Sequence, residues 1–135
     1  SDRGLLLDVI FSHEIQPQLR NSGAKFVYDF PQEQSAYAQL QATQPPVASR
    51  FELLMDGIEL ANGYHEVTSL AEQLRRFETE RTLRRFRGLR DMPNDPSPFS
   101  QQGLDLPPCA GVAIGLDRLL MIACGADSLS AVEMR

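Results

Sequence analysis

Between Arg50 and Glu66 the chain reads RFELLMDGIELANGYHE, setting three glutamates and an asparagine around an Asp-Gly pair. Two carboxylates on one face of a β-ribbon can share a divalent cation, whereas left uncompensated they repel and destabilise the sheet. Hard oxygen donors with no Cys or His on the same face favour Mg²⁺, which takes one or two carboxylates and fills its octahedron with water and substrate phosphates. Spacing alone equally admits a solvated face on which each acid pairs with a surface arginine. Downstream, Asn62, Tyr64 and Glu66 alternate, offering an amide, an aromatic wall and an anion, the parts that hold an amino acid with a cationic side chain. Tyr64 taken alone is better explained by core packing.

A hairpin must position these groups. Asp56-Gly57 between two mostly apolar runs suits a two-residue type I′ turn, which needs positive φ at both central residues. With that loop, Met55 faces Ile58, Leu54 faces Glu59 and Glu52 faces Ala61. Glu52 and Glu59 are then diagonal neighbours, roughly 7–8 Å apart at Cα. Glu59 and Asn62 are an odd number of residues apart, so a bulge within Ala61-Asn62-Gly63 is needed to bring both to one site, and Gly63 suits it.

A second constellation lies in AGVAIGLDRLLMIACG, Ala110 to Gly125. It reads as a small-residue strand turning at Gly115-Leu116-Asp117-Arg118 into an apolar helix. Gly111, Ala113 and Gly115 alternate onto one face, leaving a floor for a planar ring. Arg118 stands in the first helical turn, where guanidinium and amide groups can both meet phosphate. Such glycine spacing is equally explained by close strand-helix packing.

At 135 residues, with 42% hydrophobic and 23% charged content, the chain is expected to form a single domain over 1–135. No apolar run nears the ~18 residues of a membrane span and no leader is evident, so a soluble, cytoplasmic protein without membrane contact is expected. Cys109 and Cys124 lack metal-site spacing and read as reduced thiols. A net charge of −5 argues against bulk electrostatic binding of nucleic acid. Seven of the 13 basic residues nevertheless lie between Arg75 and Arg90. Ser69 to Arg87 is expected as a helix, with a Ser69/Glu72 capping box, an apolar stripe of Leu70, Leu74 and Phe77, and Gly88 at its end. Glu72 with Arg76, and Glu80 with Arg84, would pair along it, so a solvated face is favoured over RNA contact.

Asp2 to Glu14 reads as an amphipathic helix, and Lys25 to Phe30 as a strand halted by Pro31. Pro45-Pro46 marks a loop. Arg90 to Pro108 reads as a long irregular connection.

From about Phe26 onward the chain resembles the class II aminoacyl-tRNA synthetases, specifically the lysyl branch. GVAIGLDR is similar to the third signature motif of that class, and RFELLMDGIELANGYHEVTSLAEQLRRF to the lysyl metal and amino-acid segment. The resemblance implies an α+β fold, an antiparallel sheet of part of the class II catalytic domain with helices packed on one face, one of them Ser69 to Arg87. It implies that Glu52 and Glu59 bind Mg²⁺ with ATP, and that Arg118 holds the γ-phosphate as the catalytic arginine. Gly111 and Gly115 would lie against adenine. Asn62, Tyr64, Glu66 and Ala113 would line the amino-acid pocket, with Glu66 reading the distal amine.

ELANG in place of EIGNG, His65 before Glu66, Cys109 before Ala110-Gly111, and Ala113 at a usual glycine are closer to a truncated paralogue group of that branch. That group attaches β-lysine to a lysine of elongation factor P. One added methyl is worth roughly 1 kcal/mol or more in a tight pocket, enough to bias it between α- and β-amino acids. The implied reaction activates lysine or β-lysine with ATP as an aminoacyl-adenylate and passes it to elongation factor P; tRNA charging and a non-catalytic binding module are the alternatives. No side chain attacks, and His13 and His65 are not general bases. His65 is either a support for Glu66 or an exposed bystander.

The class's first and second motifs are absent. The chain is therefore expected to be the C-terminal portion of a larger, homodimeric enzyme, inactive alone. Asp105 at a usual glycine, with Pro98 and Gly103 in what is commonly a helix, puts the order of that loop in question.

Overall fold

The computed structural model describes residues 3–91 and 105–132. Pro98, Gly103 and most of the expected connection lie outside them. Four strands form one antiparallel sheet in the order β1 (Ala24–Pro31), β2 (Val47–Met55), β3 (Ile58–His65) and β4 (Ala110–Ile114). With helices α1 (Arg3–Ile10), α2 (Leu70–Phe86) and α3 (Leu116–Ala123), this is the expected α+β arrangement.

The turn between β2 and β3 adopts the expected geometry: Asp56 and Gly57 both have positive φ, 49° and 83°. Asp56 Oδ1 accepts from the Gly23 amide at 2.7 Å and Gln16 Nε2 donates to the Gly57 carbonyl at 2.7 Å, so the turn is tied to the N-terminal segment. That segment continues past α1 as a π turn, Phe11–Ile15, and a 3₁₀ turn, Gln16–Leu19, rather than as one α-helix to Glu14. β1 runs one residue beyond the expected strand at each end and carries an irregularity at Asp29, whose φ is 57°.

The bulge in β3 lies one step earlier than expected. Leu54 faces Glu59, but Leu53 faces Ala61 and Glu52 faces Asn62, which leaves Leu60 as the extra residue. Leu60 is buried, and its carbonyl accepts from the Gly115 amide at 2.9 Å, so burial and a long-range hydrogen bond choose this position over the glycine. Gly63 has another reason to be glycine: a Cβ there would meet the Phe51 ring at 2.4 Å.

α2 begins and ends as its local chemistry dictates. Ser69 accepts from the Glu72 amide at 3.5 Å, and Gly88 follows with a φ of 67°. Asp105, the departure from the family pattern, adds a second cap by accepting from the Leu70 amide at 2.8 Å. The apolar stripe does not hold: Leu74 is exposed, while Gln73 and Arg81 are buried. Gln73 donates to the Val67 carbonyl at 2.6 Å, and Arg76 to the carbonyls of Ala36 and Ala38 at 2.7 and 2.8 Å. α2 is thus bound to the loop after β1, and Tyr64 of β3 borders the same cavity as Arg76, Thr79 and Leu83 of α2. The Glu72–Arg76 pair forms at 2.7 Å, but Arg84 turns to the Arg90 carbonyl instead of Glu80.

Phe30, Ala38 and Ala48 make a small core, with Val27 and Tyr64 against it. On the sheet's other face Phe26 contacts Phe51 with ring centroids 5.7 Å apart, and Phe26, Val112 and Ile114 are mostly exposed. Among the described residues no helix is long and apolar enough to cross a membrane.

Candidate functional site

The register builds the site. Glu52 faces Asn62, Asn62 faces Ala113, and Tyr64 faces Gly111, so these five positions share one sheet face across β2, β3 and β4. The Leu60 bulge resets the alternation, and Glu59 comes close enough to Glu52 for its charge to disfavour ionisation there. Burial is the larger cause: it holds the Glu52 carboxyl above the usual carboxylate range, against the opposing pull of Arg50.

Each acid has an arginine. Glu52 Oε1 accepts from Arg50 Nη2 in a short, half-buried contact, and Asn62 Nδ2 reaches the same oxygen at 3.4 Å. Glu59 meets Arg118, whose Nη1 donates to the Glu59 carbonyl at 2.8 Å and lies 3.6 Å from its carboxylate. The bulge explains this second contact, because the Leu60–Gly115 hydrogen bond fixes where β4 ends and α3 begins. That places the first turn of α3 beside Glu59. A cavity of about 290 Å³ opens there, bordered by Glu59, Arg118 and Met121.

At the other end of the floor, a Cβ on Gly111 would meet Glu66 Oε1 at 2.5 Å. The Glu66 carboxylate therefore lies directly on Gly111, and a side chain at that position would displace it. Glu66 is also fixed through its backbone: its amide donates to the Cys109 carbonyl at 3.0 Å, and its carbonyl accepts from Gln39 Nε2 at 2.8 Å. Gly115 is looser, since a Cβ there would make only ordinary contact with the Arg118 side chain at 3.5 Å. Tyr64 packs against the small core, and burial raises its hydroxyl pKa. It is a structural side chain, with the Arg50 guanidinium 5.8 Å from the centroid of its ring.

His65 is exposed and paired in the sheet with Ala110, on the face opposite Glu66 by alternation. His13 is exposed on the N-terminal segment, 3.1 Å from the Val9 carbonyl. Neither enters the site, and Cys109 and Cys124 are free thiols.

Sequence reasoning gave no role to Arg50, although it stands two residues before Glu52 and period two places both on one face. Among the described residues no cluster of three or more His, Cys, Asp or Glu side chains is arranged to hold a metal ion. Two carboxylates do fit Mg²⁺ in one form: an ion that brings phosphate and water as its remaining ligands.

Sequence comparisons place this chain among known proteins. The model of the tRNA synthetases class II (D, K and N) matches residues 8–134. The chain is 45% identical over 131 residues to the elongation factor P--(R)-beta-lysine ligase of Vibrio cholerae serotype O1, covering 97% of this chain and 40% of that protein. It is 43% identical to the proteins of the same name from Salmonella dublin and Salmonella enteritidis PT4, with the same coverage. The chain spans about two fifths of the length of the curated relatives it matches. A family model covering nearly all of the sequence, together with these relatives, establishes that the chain belongs to the class II tRNA synthetase family (D, K and N).

Proposed function

We propose that this chain supplies the amino-acid and metal-binding part of an ATP-dependent ligase that activates lysine or β-lysine and transfers it to a lysine of elongation factor P. The observation that carries the reading is the seating of Glu66 on Gly111, on the same sheet face as Glu52, with the Glu59–Arg118 contact at the other end of the small-residue floor. An anion for a distal amine, a small-residue floor and a carboxylate–arginine cluster then serve one substrate pair. The names of the relatives supply the acceptor, elongation factor P.

In this reading the chain's own groups act by positioning and by charge. Glu66 binds the distal ammonium and Asn62 orients the amino-acid end. Ala113 shapes the pocket beside them. Gly115, rather than the Glu66-covered Gly111, lets adenine approach the end of β4, and Arg118 holds the terminal phosphate of the departing pyrophosphate. Glu52 and Glu59 hold Mg²⁺, which when bound offsets phosphate charge. The attacking atom is a carboxylate oxygen of the amino acid, so no nucleophilic side chain is required. The two free thiols fit a reducing cytoplasm, and the complete enzyme acts as a homodimer.

The test uses the longest protein that carries this chain. Amino-acid-dependent exchange of pyrophosphate into ATP, faster with β-lysine than with α-lysine, is expected, followed by passage of labelled β-lysine to elongation factor P. Label appearing on tRNA instead would give a tRNA-charging enzyme, and no exchange with either amino acid would leave a binding module.

A further inference from the structure

We infer that Arg50 is a positioning residue for the cation site, one that holds a single oxygen of Glu52 so that the other is presented towards Glu59. This rests on the reading above, in which Glu52 and Glu59 take Mg²⁺ with ATP. All three guanidinium nitrogens are in use, each on a different segment. Nη1 donates to the Gln34 carbonyl at 2.7 Å, Nε to Asn62 Oδ1 at 3.3 Å, and Nη2 to Glu52 Oε1. The guanidinium carbon lies 4.2 Å from the centroid of the Phe30 ring and 5.8 Å from that of Tyr64, so the plane is gripped from its faces as well as its edges.

The consequence falls on Glu52. Its Oε1 receives both Arg50 Nη2 and Asn62 Nδ2, while Oε2 takes no hydrogen bond among the described residues. A carboxylate pinned through one oxygen is oriented without being used up as a ligand. Partners of this kind behind a metal-binding carboxylate are typically worth about 10–100-fold in metal affinity. A lysine could keep the charge, but it could not span Gln34, Asn62 and Glu52 at once.

The experiment titrates Mg²⁺ against the ATP-dependent rise in melting temperature of the full chain. For Arg50→Met and Arg50→Lys the Mg²⁺ midpoint is expected to rise about tenfold or more at saturating ATP. In a Glu52→Gln background, adding Arg50→Met should move the midpoint less than about twofold, since Arg50 acts through Glu52. This double variant removes both charges together and keeps the comparison available if Arg50→Met does not fold. An unchanged or lowered midpoint in the single variants, a wild-type midpoint in Arg50→Lys, or a full additional shift in the double variant would overturn the inference. A wild-type protein whose ATP response ignores Mg²⁺ would instead overturn the metal site itself.

Discussion

Arg118 is anchored to Glu59 twice, by a 2.8 Å hydrogen bond to its main-chain carbonyl and by a 3.6 Å approach to its carboxylate. The carbonyl bond fixes where the guanidinium sits whatever the state of the carboxylate, so under the proposed function Arg118 would keep its place if Glu59 turned to a cation. Replacement by alanine should reduce ATP affinity by about 10–100-fold, the range of a lost charge-assisted hydrogen bond. Both side chains are substantially exposed, at 45% and 39%, so unfolding free energy should change by less than about 1 kcal/mol. Calorimetric ATP binding beside thermal melts checks both halves.

Glu59→Gln separates binding from folding. The amide keeps the size of the side chain and leaves the main-chain contact with Arg118 intact. The melting temperature without ligand should stay within a few degrees of wild type, as expected for an exposed substitution. The Mg²⁺-dependent part of ATP stabilisation should disappear. Retention of that part would remove Glu59 from the metal site.

Two glycines should fail differently on replacement by alanine. At Gly63 the new methyl meets the Phe51 ring at 2.4 Å, within the sheet, and should cost about 1–3 kcal/mol of stability. At Gly111 it meets the Glu66 carboxylate at 2.5 Å, a movable side-chain end. Gly111→Ala should therefore fold with little loss while stabilisation by lysine or β-lysine falls. Urea unfolding and ligand-dependent melting would separate the two effects.

The pH dependence of α2 follows from Glu72, whose pKa falls from 4.5 to about 2 because Arg75, and then Arg76, hydrogen-bond its carboxylate. An acid depressed on folding stabilises the native state above its unfolded pKa, and the contribution is lost as pH falls through the folded value. Glu72→Gln should lower stability at neutral pH by less than about 1 kcal/mol, the limit for surface pairs. The gap between wild type and variant should shrink between pH 4.5 and about 2. Chemical unfolding across that range gives the test.

What the sequence settled by itself is local. Asp56-Gly57 determined the hairpin, Ser69 and Gly88 the ends of α2, and the small-residue run at Ala110 a strand passing into a helix. Each depends on φ preferences or on hydrogen bonds spanning a few residues. The candidates for the proposed site, three glutamates with an asparagine and Arg118, could be named from the sequence for the same reason, because side-chain chemistry does not depend on the fold. Tertiary structure decided the rest. It put the bulge at Leu60 because a buried side chain and the Gly115 amide compete there with local glycine preference. It drew α2 to the loop after β1 through Arg76, and it brought Arg50 from an unassigned position onto Glu52 and Asn62. It also laid Glu66 on Gly111, residues far apart in the chain that meet only across the sheet. Those choices rest on contacts between distant segments, whose strength depends on burial and mutual geometry that no short stretch of sequence contains.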